Sequence, residues 1–579
     1  MSVRRSLPLV LCLWLLAGCG PSQPKEAPTV EAAAPWAHGW MATVANPDAT
    51  AAAAEMLSQG GHAVDAAIAA HAVLGLVEPE SSGLGGGGFM LVYDAKARDL
   101  AFLDGREQAP AGARIDMFME NEAPMNYVQA WQSGRAVGVP GAVALYKLAH
   151  NRYGKLPWAT VFGPAIRLAE EGFTVTAKMA GTLEGLAPIA RIDENPGAAE
   201  YFFPGGQPLA AGTTVRNPAY AETLKRVAAE GPSAFYTGPI AEAIVASAQA
   251  APLGGTLTLE DMANYEAIPR PVVCGPWRTL SICTATPPSS GAMQIMIPNL
   301  YDHRVPEGAT QAERIRAFVE AQRLAYADRD HYFGDPDRVT VPLEGLLNPA
   351  YLEHRAQTLG APAEATAHGD PAAVLGGEAL SALGPDTTLE LAGTTHFSIV
   401  DAEGNAVSST MTVEGPFGSS RWAAGFVLNN EMTDFARVYA PEAPEPANAV
   451  RPGARPRSSM SPTMVFDEAG ALLMVTGSPG GNSIPAYTAK TILGIQDWGL
   501  SVQEAVNFPN IIARGDAVRV ETGMAPGAEL AVALEAQGFN VQAREGENSG
   551  LHVIVVTETG LEGAADPRRE GNVVRGPMP

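Results

Sequence analysis

From residue 48 onward, stretches with helical apolar spacing alternate with short β-branched runs. Ala-rich residues 48–57 follow Pro47 and stop at Gly60-Gly61, which reads as a helix begun on proline and ended on glycine. Residues 64–76 are apolar nearly all round, so this second helix is expected to be buried. The run Gly83-Leu84-Gly85-Gly86-Gly87-Gly88 then leads into a strand at 89–93 with a partner at 100–103. Further helices are expected from Gly141 to about 151, at 156–172, 218–230 and 312–332, with a short helical turn at 259–262. Residues 361–391 lose periodicity and become rich in Ala, Gly, Pro and Thr, which reads as an extended, mobile segment. Two β-rich runs at 393–401 and 406–412, parted by Ala402-Glu403-Gly404-Asn405, read as a hairpin unusually rich in hydroxyls. Beyond it come strands at 463–467 and 471–476, helices at 486–497, 501–505 and 528–537, a strand beginning at 542, and another at 553–556. With no internal repeat and no heptad, mixed strands and helices imply a layered α/β fold.

Composition narrows the function more than the fold. A hydrophobic content of 46% with 17% charged residues suits a globular chain with a large core. The net charge of -24 argues against nucleic acid as a partner, because phosphate binding needs a basic patch. No motif for a metal, a nucleotide or a flavin is present, so no cofactor is expected. The glycine run is not a phosphate loop: no Gly-Lys-Ser/Thr follows it, and a strand comes next instead of a helix. Its expected role is close backbone packing near a site.

The first residues have export chemistry. Arg4-Arg5 precede an apolar run at 7–16, too short for a membrane-spanning helix, and then Leu16-Ala17-Gly18-Cys19, which resembles a bacterial lipobox. Residues 1–18 are thus expected to be a lipoprotein signal, with Cys19 the lipidated residue and 19–39 a flexible tether rich in Pro, Ala and Glu. The other reading is an ordinary cleaved signal with a stray cysteine and a soluble periplasmic product. Cys274 and Cys283 lie on what reads as a hairpin turning at Arg278-Thr279, which sets them opposite one another; export would permit a disulfide.

Around the hydroxyl-rich hairpin, motifs accumulate in one order. Gly60-Gly61-His62-Ala63-Val64-Asp65-Ala66-Ala67, the glycine run through Phe89-Met90, and Asp104-Gly105-Arg106-Glu107 precede Thr394-Thr395-His396-Phe397-Ser398. Leu428-Asn429-Asn430-Glu431-Met432-Thr433-Asp434-Phe435, Arg457-Ser458-Ser459-Met460-Ser461-Pro462 and Gly477-Ser478-Pro479-Gly480-Gly481 follow it. Together these resemble the γ-glutamyltransferases, or glutathione hydrolases, from about residue 40 to about 545. The resemblance implies an αββα sandwich of the N-terminal nucleophile hydrolase type. It also implies a precursor that cuts itself before Thr394 into a large subunit, 40–393, and a small subunit, 394–579, which stay together as a heterodimer.

A Thr hydroxyl needs a base, and an N-terminal Thr carries one in its own α-amine, whose pKa is about 8. Thr394 must therefore first be freed by cutting Gly393-Thr394, where glycine leaves the carbonyl open to attack. By resemblance Thr412 orients the nucleophile, and the backbone N–H groups of Gly480 and Gly481 hold the oxyanion. Arg106 suits the substrate α-carboxylate, aided by the hydroxyls of Ser458 and Ser459, while Glu431 and Asp434 suit the α-ammonium. Without the resemblance each of these charges would read as a solvated surface position.

The chain also departs from the pattern. Glu414 stands where well-known transferases have an Asn that binds the amino end, Thr433 replaces a commonly acidic residue, and 436–450 does not reproduce the usual lid. An open site at the lid would admit larger donors and water and favour hydrolysis, so the departures put the donor in question more than the chemistry. The expected activity is hydrolysis or transfer of the γ-glutamyl group of glutathione-like amides to water, an amino acid or a peptide. The alternatives are a cephalosporin-acylase-like amidase with another acyl donor, and a non-catalytic binding protein on the same scaffold.

Overall fold

The computed structural model describes Trp36 and residues 38–577, apart from 122, 360, 379, 387, 389, 392 and 438–441. The signal, Cys19 and nearly all of the tether lie outside the described residues. Among those described, no helix is long and apolar enough to cross a membrane.

Two antiparallel sheets lie face to face with helices outside each. The first runs in the order Asn572–Arg575, Met41–Val44, Gly393–Val400, Ala406–Glu414, Gly87–Asp94, Asp99–Gly105, Ile268–Arg270. The second runs Gly560–Ala565, His552–Thr557, Leu472–Thr476, Thr463–Phe466, Leu280–Ala285, Val272–Trp277. This is the expected αββα sandwich. In the first sheet, Met41–Val44 lies between two strands from after Gly393-Thr394 and Gly87–Asp94 pairs with a third, so the expected subunit boundary runs through the sheet's hydrogen bonds.

The hydroxyl-rich hairpin is the middle of the first sheet. Its period-2 alternation explains how a polar hairpin can be wholly buried. Phe397, Ile399, Val407, Met411 and Val413 face the outer helices and share a core with Ala63–Val77, every residue of which is buried. The opposite face meets the second sheet with its hydroxyls satisfied. Ser398 donates to the His552 carbonyl and Ser408 to that of Thr476, both at 2.9 Å. His396 fills a polar position there, bonded to Thr410 and Ser398 at 2.8 and 3.2 Å. The outer core of the second sheet is built on Met293–Arg304, Gln311–Tyr332 and Ile484–Gln496.

Most expected elements are found within a few residues; Pro218–Glu230 has the expected ends and Ala63–Val77 runs one residue further at each. The cysteine hairpin turns at Arg278, and Cys274 and Cys283 are opposite and bonded. One expectation fails. The stretch before the hairpin is not loose: Pro371–Leu375 is a short helix, and Asp386 and Glu390 are held by buried arginines.

Candidate active site

Thr394 sits where the hairpin's register shifts. Gly393 pairs with Glu414 and Thr394 with Thr412, leaving Val413 as the extra residue of a bulge. The bulge throws Glu414 into the left-handed region, φ 76°, an uncommon position for a non-glycine residue. It also aims the Thr412 hydroxyl at the Gly393-Thr394 peptide. Thr412 Oγ1 donates to the Gly393 carbonyl at 2.9 Å, lies 3.1 Å from Thr394 Oγ1, and accepts the Glu414 N–H at 2.8 Å. Thr394 is only 3% exposed.

The glycine run makes this approach possible. A Cβ on Gly86 would stand 2.0 Å from the Thr412 carbonyl oxygen, and one on Gly88 2.3 Å from that of Thr410. Only glycine lets the Gly87–Asp94 strand lie flush beside the threonines. Gly480 and Gly481, at φ 135° and 55°, form a corner against the segment just before the cut; a Cβ on Gly481 would meet the carbonyl oxygens of Glu390 and Leu391 at 2.3 and 2.5 Å. The Gly393 carbonyl is therefore held by Thr412, while Gly481 faces the carbonyls of Glu390 and Leu391 and Gly480 the Tyr487 ring.

Arg106, Glu431 and Asp434 come together as expected and are buried, not solvated. Asp104 fixes the arginine's loop: its carboxylate accepts the Arg106 N–H at 2.8 Å and pairs with Arg270 and Arg455 at 2.6 and 2.7 Å. Arg106 does not stand free for a substrate carboxylate, however. Nη1 is bound by Glu431, Nη2 by Asp434 at 2.6 Å and the Arg457 carbonyl at 2.9 Å, and Nε by the Pro456 carbonyl at 3.2 Å. The cause is an excess of acid: Glu107, Glu431 and Asp434 face one guanidinium, with Glu414 next to them.

Burial raises all four carboxyls. It takes Glu107 to about 7 against the pull of Arg106, and Asp434 to about 6, with the Glu390 charge as the next cause. Glu431 rises through burial in spite of Arg106, and Glu414 through burial and then the charge of Asp434. Glu431 Oε2, Asp434 Oδ1 and both Glu107 oxygens receive no hydrogen bond from an N–H or O–H of the described residues. A shared proton or a bound cation is what such a cluster lacks. Glu414, the departure from the family pattern, accepts the Leu391 N–H at 3.0 Å and the Asn430 side-chain amide.

The serine pair reaches a second charged group. The Ser459 N–H donates to Glu390 Oε2 at 2.7 Å and its hydroxyl accepts from Arg329 Nη2 at 2.7 Å, while the Ser458 hydroxyl accepts the Met460 N–H at 3.2 Å. Arg329, Arg457, Asp386, Glu390 and Glu107 were not singled out from sequence. Two had a signal: Glu107 follows Arg106 and Arg457 precedes Ser458 inside matched motifs.

A hydroxyl-bearing strand at the centre of an αββα sandwich, crowded by glycines and flanked by buried charge, is the architecture of the N-terminal nucleophile hydrolases. Comparison with known proteins narrows it. A family model described as gamma-glutamyltranspeptidase matches residues 49–576, extending past the limit of about 545 read from motifs. The glutathione hydrolase proenzyme of Escherichia coli (strain K12) is 36% identical over 549 residues, 92% of this chain and 91% of that protein. The Acylase ACY 1 proenzyme of Pseudomonas sp. (strain V22) is 33% identical over 553 residues, 92% of this chain and 93% of its own. Among solved structures, cephalosporin acylase from Bacillus halodurans superposes with a TM-score of 0.80 at 25% identity, covering 96% of this chain and 99% of that one. The chain belongs to the gamma-glutamyltranspeptidase family.

Proposed function

We propose that the chain cuts itself between Gly393 and Thr394 and then acts as a γ-glutamyl hydrolase and transferase with Thr394 as nucleophile. The observation that carries this reading is the placing of the Thr412 hydroxyl between the Thr394 hydroxyl and the Gly393 carbonyl, at 3.1 and 2.9 Å. Thr394 Oγ1 attacks the Gly393 carbonyl carbon and passes its proton to Thr412, which gives its own to the developing oxyanion. As the C–N bond breaks, the tetrahedral hydroxyl gives its proton to the leaving nitrogen and the carbonyl reforms, leaving Gly393 esterified to the Thr394 hydroxyl and a free α-amine on Thr394. Water opens the ester, giving the Gly393 carboxylate and the free hydroxyl.

In the cut enzyme the α-amine takes the hydroxyl proton as Thr394 attacks the γ-amide of the donor, and returns it to the leaving amine. The γ-glutamyl ester is resolved by water or by the amine of an amino acid or peptide. Gly480 and Gly481 supply the oxyanion donors once the upstream segment has left them. Glu431 and Asp434, with Glu414 behind them, take the donor's α-ammonium, which fits carboxylate oxygens left without donors. This requirement for an amine favours a γ-glutamyl donor such as glutathione. The likeness to two acylases supports the second reading, an amidase with an amine-free acyl group.

The pieces would be a large subunit, 40–393, and a small subunit, 394–579, held as a heterodimer. Export would follow the signal at 1–18, with anchorage through lipid on Cys19. Denaturing electrophoresis with N-terminal sequencing tests the chemistry. Two fragments are expected, the smaller beginning Thr-Thr-His-Phe; one uncut chain in folded wild type would end the proposal.

A further inference from the structure

The corner at Gly480 is braced from behind. Gly480 and Gly481, at φ 135° and 55°, lead the chain from the strand Leu472–Thr476 into the helix Ile484–Gln496. A helical side chain leans back over the turn N-terminal to its own Cα, so Tyr487, the fourth residue of that helix, covers what lies just ahead of it. Its ring rests on Gly480, where a Cβ would stand 2.4 Å from Tyr487 Cε2. Tyr487 is buried, and its hydroxyl donates to Glu547 Oε2 at 2.5 Å. Burial and then the Glu547 charge push the phenol well above its usual range, so it stays a donor. Glu547 is in turn bound by Arg519, through Nε and, at 3.0 Å, through Nη2. Nη2 also donates to Ser483 Oγ, and the Ser483 N–H donates to the Gly480 carbonyl at 3.2 Å. The contacts thus leave Gly480 at its Cα and return to it at its carbonyl. Glycine's freedom lets it take φ 135°, and the same freedom lets its peptide swing unless neighbours over-determine it.

We propose that Tyr487, Glu547 and Arg519 are positioning residues for the oxyanion corner: the tyrosine ring, anchored through its hydroxyl, fixes the Gly480 and Gly481 peptides so that their N–H groups meet the oxyanion of γ-glutamyl transfer. This rests on the oxyanion role given to the glycine pair above and deepens it. Oxyanion donors act by being aimed in advance, so a peptide that swings loses its effect in the transition state without losing the substrate. Arg519 and Glu547 carry opposite charges, and the brace therefore sets geometry without bringing net charge to the corner. It serves turnover and not self-cutting, because the Gly393 carbonyl is held by Thr412 instead.

The test compares wild type with Tyr487→Phe, which keeps the ring and loses its anchor, and Tyr487→Leu, which loses both. Each is followed for the rate at which the smaller fragment appears and, once cut, for kcat and KM on γ-glutamyl anilide. Losing one oxyanion donor outright costs about 10²- to 10³-fold in kcat, and a donor kept but misaimed should cost less. The expected fall in kcat is about threefold in Tyr487→Phe and about tenfold or more in Tyr487→Leu, with KM and the half-time of cutting within about twofold of wild type. A merely structural role would slow cutting together with turnover, or leave kcat untouched; either result overturns the proposal. Tyr487→Phe, which fills the same space, decides the matter should Tyr487→Leu fail to fold. Gly480→Ala separates the brace from the reading beneath it, since a Cβ there displaces ring and peptide together. If cut Gly480→Ala keeps wild-type kcat, the oxyanion role of the glycine pair fails and takes the brace with it. If its kcat falls while both tyrosine variants match wild type, the brace alone fails.

Discussion

The two charged ends of the site differ in which part of the chain balances them. Around Arg106 three acids face one base, Glu107, Glu431 and Asp434, with Glu414 next to them, and all four sit in parts of the fold far in sequence from the proposed cut or beyond it. Around Arg329 and Arg457 two of the balancing acids, Asp386 and Glu390, lie in the stretch immediately before it, and the third, Asp330, lies elsewhere. Cutting would therefore take balancing acids from the basic end, and from the acidic end only the nearby charge of Glu390. A precursor can in this way keep two buried arginines neutralised while folding. That avoids the several kcal/mol that an unpaired buried charge costs a folding chain.

The change with the largest expected effect is Thr394→Ala. It should stay one chain on denaturing gels, with activity at background and the basic end permanently capped. Two fragments from this variant would erase the contrast between the ends. Thr412→Val removes the hydroxyl that joins nucleophile to carbonyl, and should slow the appearance of the smaller fragment by about 10²-fold, the scale of losing one oxyanion donor. A half-time equal to wild type would take Thr412 out of the chemistry.

Asp434→Asn probes the acidic end. Leaving a ligand ammonium without its partner should lower kcat/KM on γ-glutamyl anilide by about 10²-fold. The ionised carboxylate is the binding form, so kcat/KM should fall as pH drops through the Asp434 pKa, about 6 in the uncut chain. Glu390 is a leading cause of that elevation. Its departure should lower the value, so NMR titration should find Asp434 more acidic in cut enzyme than in Thr394→Ala; equal values would mean that the two ends do not communicate.

The smallest effect is on stability. Glu107 is held up to about 7, whereas an unfolded chain ionises its glutamates from about 4. A raised carboxyl pKa disfavours the folded state as pH rises: the penalty is absent below about pH 4 and complete above about 7. Glu107→Gln in the uncut Thr394→Ala background should then stabilise by on the order of 2 kcal/mol at pH 8 and not at pH 4. Thermal unfolding at the two pH values decides it.

What could be read from the sequence depended on how locally it was encoded. The buried helix Ala63–Val77, the hairpin around Thr394 and the cysteine pair announce themselves within a dozen or so residues. Met41–Val44 and Asn572–Arg575, which complete the first sheet, are too short to show alternation and were missed. Arg329 lies within the long helix Gln311–Tyr332, where exposed, half-buried and buried charges are mixed, and nothing in its neighbours marks which of them is fully buried. Its partners Glu390 and Ser459 are 61 and 130 residues away. The composition of residues 361–391 suggested looseness because the forces that pin them come from elsewhere in the chain. The resemblance supplied Arg106 with a role, but only the geometry shows how fully its donors are already used.

The interleaving of strands in the first sheet has a last consequence. Once the peptide before Thr394 is broken, Met41–Val44 lies between two strands of the other piece, and neither piece alone holds a complete sheet. Unfolding would then scatter two molecules where synthesis had made one, and recovery would need them to meet at the concentration at hand. The mature form would keep a shape whose instructions were partly erased in finishing it: the connectivity that guided assembly would be gone, and the structure would persist as a memory of it.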